Sequence, residues 1–241
     1  PGQIFDQVAE ACRELGVALV GGHTEVTIGL DRPVVAGAML GEVPRGRLVA
    51  PQSARPGDAV ILTRGVAVEG TAVLAREAGP ALLARGVPQS VIGRAADYLR
   101  DPGISVVAAA RALCDNVAVR ALHDPTEGGV ATALYELAAA CDAGLRIDGE
   151  IRVLPETRAI CDAAGLDPLG LLASGSLLAV VPGDETDAAV AALQEASVPA
   201  FRIGQIVDAS KGVIMTVNGT DALLKPFARD EIARYFSGQK G

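Results

Sequence analysis

Apolar and polar positions along the chain alternate between short strand-like runs and helix-like periods. Ile4, Val8, Cys12 and Leu15 recur at helical spacing, which predicts an opening helix that ends at Gly16. Apolar runs predict strands at 17–20, 34–40, 58–62, 117–122, 145–148, 177–181, 201–207 and 212–217. Helical patterns cover 72–78, parts of 80–113, 130–140, 155–164, 184–196 and 226–236. Because strands and helices interleave and the late strands lie close together, we expect an α/β fold with mixed sheets covered by helices.

A polar stretch rich in Arg and Pro, residues 44–57, interrupts this pattern and predicts a linker between domains. We therefore expect the C-terminal part of a first domain at 1–43, a complete second domain at 58–210, and a hairpin with a helical tail at 211–241. The hairpin turn is predicted at Asn218-Gly219, and the tail is expected to serve packing and solubility. Because the chain enters a helix directly after Pro1, we expect the first domain to be truncated, with its upstream part absent.

Composition narrows the possible functions. Half of the residues are hydrophobic and 3% are aromatic, which indicates a globular protein whose core is built from Ala, Val, Leu and Ile. A net charge of −8 argues against a nucleic-acid partner. No apolar run is long enough for a membrane span, and no signal peptide is visible, so we expect a cytoplasmic protein. The four cysteines, with no C-x-x-C pair, are expected to be small buried hydrophobes.

Residues 123–129, HDPTEGG, lie between a predicted strand and a predicted helix; we call them the central turn. Asp124 could be a helix N-cap, with Pro125 at the first helical position and Glu127 completing a capping box. Alternatively, Gly128 and Gly129, poor helix formers, could let a phosphate approach the backbone. A carboxylate beside free amides would then suit a magnesium-bound phosphate. The residues alone leave both interpretations open.

Three other polar turns carry possible chemistry. GGHTE at 21–25 holds one of the two histidines, and the other is His123; this turn could face a ligand or be a surface turn. Glu69-Gly70-Thr71 could hold an anion or simply begin a helix. Ser174-Gly175-Ser176 lacks the G-x-S-x-G pattern and a nearby histidine, which favours a turn over a nucleophile. Neither common nucleotide-binding signature, the P-loop or G-x-G-x-x-G, is present.

Taken in order, five motifs resemble the AIR synthase superfamily, and the central turn is most similar to its AIR synthase-related, HypE-like branch. The resemblance runs from about Gln3 to about Asp208 and rests on GGHTE (21–25), PGDAVILT (56–63), EGTAVLA (69–75), HDPTEGGVATALYELA (123–138) and ASGSLLAVVP (173–182). Each motif is weak alone, but the ordered set is specific.

The resemblance implies two AIR-synthase-like α/β domains, a homodimer, and a cleft that binds ATP with Mg²⁺. It implies phosphoryl transfer to an amide or carboxylate oxygen of a small-molecule or protein-borne substrate, with no nucleic acid and no membrane involved. Carried over by position, Asp124 would be the metal ligand. The nucleotide side would be formed by Gly21, Gly22, His23, Thr24, Glu69, Gly70, Thr71, Thr126, Gly128 and Gly129. No residue is assigned as a nucleophile or as an acid or base.

Two departures from the family pattern bear on function. The acidic residues that supply most metal ligands in the family belong to the part expected upstream of Pro1, so we expect this chain alone to be inactive. The resemblance implies a reactive cysteine at the C-terminus of HypE proper, whereas no cysteine follows Cys161 in this sequence. The first hypothesis is an ATP-dependent enzyme. The alternative is a non-catalytic nucleotide-binding or protein-assembly module on the same scaffold. A thiamine-monophosphate-kinase-like activity is disfavoured because D-x-S-D-G is not found at the central turn.

Overall fold

A computed structural model describes residues 2–217 and 219–238, which divide into two compact units, one up to Leu48 and one from Val49 onward. The first unit contains helix α1 (Gly2–Leu15). The backbone N–H of Val17 donates to the carbonyl of Cys12 at 2.8 Å and closes this helix at the predicted place.

The predicted strands at 17–20 and 34–40 are wrong for the described residues. Neither segment has regular secondary structure, and neither belongs to a strand ladder with any described residue. Val20 is 92% exposed and Leu40 is 96% exposed. An apolar run becomes a strand only when a neighbouring strand satisfies its backbone groups and covers its side chains.

The second unit is built on one seven-stranded mixed sheet. Its strands are β1 (Ala59–Thr63), β2 (Ala121–His123), β3 (Gly144–Ile147), β4 (Leu178–Val181), β5 (Ala200–Val207), β6 (Val213–Val217) and β7 (Thr220–Leu223). Their order is β2-β4-β1-β5-β3-β6-β7, and only the β3–β6 pair is parallel. The expected mixed α/β architecture is thus confirmed. Asn218 of the predicted hairpin turn lies outside the described residues.

Helices pack on both faces of this sheet. They are α2 (Val68–Glu77), α3 (Gly79–Ala84), α4 (Gln89–Ala96), α5 (Val107–Asn116), α6 (Gly129–Cys141), α7 (Pro155–Ala164), α8 (Thr186–Glu195) and α9 (Glu231–Ser237). Val60 and Leu62 of β1 join the core under α2, α6 and α7, whereas Ala59 and Ile61 join the core under α5 and α8. This alternation follows from the two-residue period of a strand that is buried on both sides.

Several predicted boundaries change. The strand expected at 117–122 covers only Ala121–His123. The tail helix begins at Glu231 instead of 226, because Asp230 caps it by accepting the N–H of Ile232 at 2.7 Å. Residues of the tail are buried, including Asp230 and Tyr235, so the tail belongs to the core packing of the second unit.

Two further expectations can be compared with the structure. All four cysteines are free thiols; Cys141 and Cys161 are buried as expected, but Cys12 and Cys114 are only half-buried. Within residues 2–217 and 219–238, no helix is long and apolar enough to cross a membrane.

Candidate functional site

The central turn connects β2 to α6, but it is not a capping box. Helix α6 begins at Gly129, and its N-cap position is Gly128, which has a left-handed backbone with φ of +76°. Asp124 lies four residues before that cap and makes no capping hydrogen bond to the helix. The capping interpretation of Asp124 is therefore wrong, because the helix starts at Gly129 and Gly128 occupies its N-cap position.

A carboxylate from the tail occupies the start of α6. The backbone N–H of Gly128 donates to Asp230 Oδ2 at 2.7 Å, and this contact is buried. Asp230 Oδ1 accepts from Ile232, so one carboxylate serves the starts of α6 and α9. Sequence reasoning missed this contact because the partners are 102 residues apart. Asp230 and Glu231, inside the last helical pattern, are residues typical of a helix start, but they do not reveal that Asp230 also binds Gly128.

The two glycines of the central turn are required by packing. A Cβ on Gly129 would lie 2.3 Å from the carbonyl oxygen of Leu169 and 2.8 Å from that of Leu171. A Cβ on Gly128 would lie 2.3 Å from Thr132 Oγ1. Their presence is therefore explained by close approach of the chain to itself, and a ligand is not needed to account for them.

The loop 171–176 brings together motifs that are distant in sequence. The N–H of Ala173 donates to the carbonyl of Thr126 in the central turn at 3.2 Å. The N–H groups of Gly70 and Glu69 donate to the carbonyls of Leu172 and Ser174 at 2.9 and 3.2 Å. The central turn and the first turn of α2 thus contact the same short loop, and together they form the candidate site of the second unit.

Glu69, Gly70 and Thr71 lie inside the first turn of α2 and do not precede it. A Cβ on Gly70 would lie 2.7 Å from the carbonyl oxygen of Leu172, so this glycine also serves packing. The Thr71 hydroxyl is buried and lies 2.8 Å from that of Thr157 on α7. Of the three residues, only Glu69 is partly exposed.

The serines of the 171–176 loop have structural environments. Ser176 is fully buried, and its hydroxyl donates to the carbonyl of Gly65. Ser174 is half-buried, and its carbonyl accepts from Glu69. These contacts support the turn interpretation of this motif.

Asp124 has the chemistry that a magnesium ligand needs. It is exposed, and across the described ranges its side chain forms no hydrogen bond or ion pair. The adjacent His123 is engaged, because its Nε2 lies 2.9 Å from Glu136 Oε2. No group of three or more His, Cys, Asp or Glu side chains suited to a metal occurs among the described residues. A Mg²⁺ ion held by one or two carboxylates and by phosphate oxygens fits this arrangement.

The remaining predicted residues lie in the first unit. Gly21, Gly22, His23 and Thr24 form an exposed, irregular segment in which His23 Nε2 is 3.8 Å from Glu25 Oε2. Their role toward a nucleotide stays a prediction, as do the roles of Asp124, Thr126 and the glycines.

Comparison with known families defines the class of protein. Residues 55–217 match the model described as AIR synthase related protein, C-terminal domain, and residues 2–43 match the N-terminal domain of the same family. The chain therefore belongs to the AIR synthase related family, as its motifs predicted.

Individual relatives are HypE proteins. The carbamoyl dehydratase HypE of Rhizobium leguminosarum bv. viciae is 34% identical over 196 residues, which cover 79% of this chain and 52% of that protein. The crystal structure of E. coli HypE, a hydrogenase maturation protein, matches with a TM-score of 0.75 and 25% identity, covering 98% of this chain and 72% of that one. A HypE structure in complex with ATP matches with a TM-score of 0.64 and 26% identity, covering 92% and 67%. The chain spans about half the length of the curated relatives it matches.

Proposed function

We propose that the protein is a HypE-like enzyme that uses ATP and Mg²⁺ to activate the oxygen of an amide, and specifically of a carbamoyl group. Curated relatives bear the name carbamoyl dehydratase, and a related structure contains ATP. The observation that carries the proposal is the meeting of the central turn and the start of α2 on the 171–176 loop. This meeting places Asp124, Thr126 and Glu69 in one region of the second unit.

The proposed reaction is a dehydration in two stages. An amide oxygen is a poor leaving group, so it first attacks the γ-phosphorus of ATP; an O–P bond forms, the bond to ADP breaks, and ADP leaves. The nitrogen then releases its two protons to solvent as the C–O bond breaks and the C≡N bond forms, so that phosphate leaves with the former amide oxygen. The carbamoyl group thereby loses one water in total and becomes a nitrile.

The protein's contribution to such a reaction is positioning and charge neutralisation. A bound Mg²⁺ would neutralise phosphate charge during transfer. Asp124 would hold that ion through its free carboxylate oxygens. Thr126 and the backbone of the central turn would border the phosphates, and Gly21–Thr24 would supply the glycine-rich segment of the first domain.

The test compares Asp124→Asn with the unchanged full-length protein that its gene encodes. Release of phosphate from ATP in the presence of Mg²⁺ should fall by at least about a hundredfold in the variant, since the carboxylate proposed to hold the charge-neutralising Mg²⁺ is lost. Asp142→Asn is the matched control, because Asp142 lies at the opposite end of α6. Unchanged turnover in Asp124→Asn would remove Asp124 from the mechanism.

A specific observation favours the second candidate, a nucleotide-binding or assembly module without catalysis. The Gly128 amide, which an anion could otherwise use, is already bound by Asp230. In this case ATP with Mg²⁺ would raise the melting temperature of the protein, while phosphate release would stay at the level of the buffer. Binding together with turnover that depends on Asp124 would exclude this candidate.

A further inference from the structure

A cavity of about 370 Å³ lies in the second unit. Its walls come from the loop after β1, from α4 and the following 99–103 segment, and from the chain that leads into α7. None of residues 123–129 lines it. A volume of this size falls within the range of pockets that hold small molecules.

Three arginines line this cavity, and they differ in their partners. Arg94 is neutralised, because its Nε donates to Glu156 Oε1 at 2.6 Å. Arg64 and Arg152 form no ion pair with any residue in the part of the chain that the structure describes. Both are half-buried. A half-buried cation without a carboxylate partner favours an anion beside it.

The carboxylates of the lining do not cancel these two cations. Glu156 is occupied by Arg94 and by the hydroxyl of Tyr98, which donates to Oε2 at 2.7 Å. Asp97 Oδ1 lies 3.8 Å from Arg100. Asp101 is therefore the one lining carboxylate without an ion pair among the described residues. The three arginines of the lining are matched in number by its three carboxylates, and the local excess of one cation arises because Arg100, from outside the lining, pairs with Asp97.

Arg64 is held in a fixed position. Its Nη1 donates to the carbonyls of Gly103, Ser105 and Gly175 at 3.2, 2.9 and 2.8 Å. Its backbone is left-handed, with φ of +60°, although glycine would adopt this conformation without strain. An arginine at such a position indicates that its side chain is needed there. Burial also lowers the pKa of its guanidinium, a sign of desolvation.

Apolar groups form the rest of the walls. Leu154 and Pro102 line the cavity, together with Pro199 and the largely buried Tyr98. Arg152 lies over the ring of Phe201, with its Cζ 5.3 Å from the ring centroid, which restrains the guanidinium at the rim. The pocket thus combines a cationic wall with apolar surface.

We propose that this pocket, with Arg64 and Arg152 as its cationic wall, binds a small organic anion: a carboxylate or phosphate monoester on a compact apolar frame. This proposal is independent of ATP activation, because no predicted nucleotide or metal residue lines the pocket. Arg152, restrained over the Phe201 ring at the rim, supplies one positive charge, and Arg64, held by three backbone carbonyls, supplies the other.

The test uses phenyl phosphate and benzoate as probes, titrated into the full chain and followed by calorimetry and by amide chemical shifts of residues 98–105 and 152–156. Benzyl alcohol and benzylamine are the neutral and cationic controls. We expect at least one anion to bind and Arg152→Gln to weaken that binding by about tenfold or more. Arg152→Lys should retain part of the affinity. Arg158→Gln, an exposed arginine on α7, should change nothing.

The proposal would be overturned if neither anion bound the unchanged protein at about 10 mM, a concentration at which even a weak millimolar affinity saturates. It would also be overturned if Arg152→Gln bound the anions as tightly as the unchanged protein does, or if benzylamine bound as tightly as the anions do. A melting curve of each variant separates loss of binding from loss of fold, and Arg152→Lys keeps the test valid if Arg152→Gln is unstable.

Discussion

At the scale of single residues, Asp230 connects the tail to the central turn. Its carboxylate is buried and accepts two backbone N–H groups, one from Gly128 and one from Ile232. Both donors lie at helix starts, where unpaired amides and the helix dipole favour a negative charge. One side chain thus satisfies two groups that would otherwise be costly to bury.

Replacing Asp230 by Ala should lower the free energy of unfolding by about 2–4 kcal/mol, since two hydrogen bonds to a charged acceptor are lost. Urea unfolding followed by circular dichroism measures this change. Glu150→Gln, at an exposed acidic residue, is the control and should stay within about 0.5 kcal/mol of the unchanged protein. Equal stability of Asp230→Ala and the control would mean that the tail contact contributes nothing.

Glu156 gives the protein a stability that depends on pH. The hydroxyl of Tyr98 and the guanidinium of Arg94 hydrogen-bond this carboxylate and hold its pKa below the ordinary value, although desolvation opposes them. Because the folded pKa lies below the unfolded one, the stabilisation is present above the unfolded pKa of about 4.3. It is lost as the pH falls through the folded pKa.

We therefore expect Glu156→Gln to unfold at lower urea concentration than the unchanged protein at pH 7. Between pH 7 and about pH 3, the unchanged protein should lose more stability than the variant, because the carboxylate of Glu156 titrates in this range and the amide that replaces it does not. The urea midpoints of both proteins at the two pH values decide the question. Parallel losses would show that Glu156 is not a source of the acid sensitivity.

At the scale of elements, local signals predicted helices well and strand partners poorly. Helix α7 spans Pro155–Ala164, as predicted, because Pro155 at its start and Gly165 after its end are signals within the segment itself. The runs at 17–20 and 34–40 are as apolar as runs that did become strands, but their large side chains remain exposed. The hydrophobicity of a segment indicates that it can be buried, but which other segment packs against it is decided by the whole fold.

In the candidate site as well, features that depend on local sequence could be predicted, whereas contacts between distant residues could not. The sequence order of the motifs indicated the family, and the positions of the central turn and of α2 could be predicted from glycines and helical periods. The hydrogen bonds of the 171–176 loop to both, and the Asp230 contact, could not, because each joins residues far apart in the chain. Of the two interpretations that the residues left open for Asp124, the capping box proved wrong, because local spacing could not show that α6 starts only at Gly129, where Leu169 and Leu171 crowd the chain.

A pair of glycine variants tests this packing of α6 against residues 169–171. Gly129 and Gly165 have nearly the same φ, +67° and +66°, but a Cβ on Gly165 meets nothing within 4 Å. Gly165→Ala should cost about 1–2 kcal/mol of left-handed strain alone. Gly129→Ala should cost about 1–3 kcal/mol beyond that, because the carbonyls of Leu169 and Leu171 must move. Thermal and urea unfolding of both variants gives the difference; equal costs would contradict the close approach.

At the scale of the whole molecule, burial is distributed unequally between the two units. Every described residue in the buried clusters belongs to the second unit, from Ala59 to Tyr235. No described residue between 2 and 48 is buried, and large apolar side chains there are exposed, including Val26 at 98% and Ile28 at 101%. Large apolar side chains exposed in such number promote association.

Removal of residues 1–48 should therefore leave a folded protein. The fragment 49–241 retains the seven-stranded sheet and helices α2 to α9. It should therefore unfold in one cooperative transition, with a melting temperature within a few degrees of the main transition of the whole chain. Calorimetry measures the transition, and light scattering with size-exclusion chromatography measures association.

The same deletion tests whether the exposed apolar residues of the first unit cause the protein to associate. If residues 17–43 drive association, the fragment should run as a monomer where the whole chain forms larger species, and it should bind less of a fluorescent apolar dye. A chain carrying Val26→Ser and Ile28→Ser should fall between the two, because it keeps the segment and removes part of its apolar surface. Loss of cooperative unfolding in the fragment would instead show that the second unit depends on the first for its fold, whatever the burial of its core.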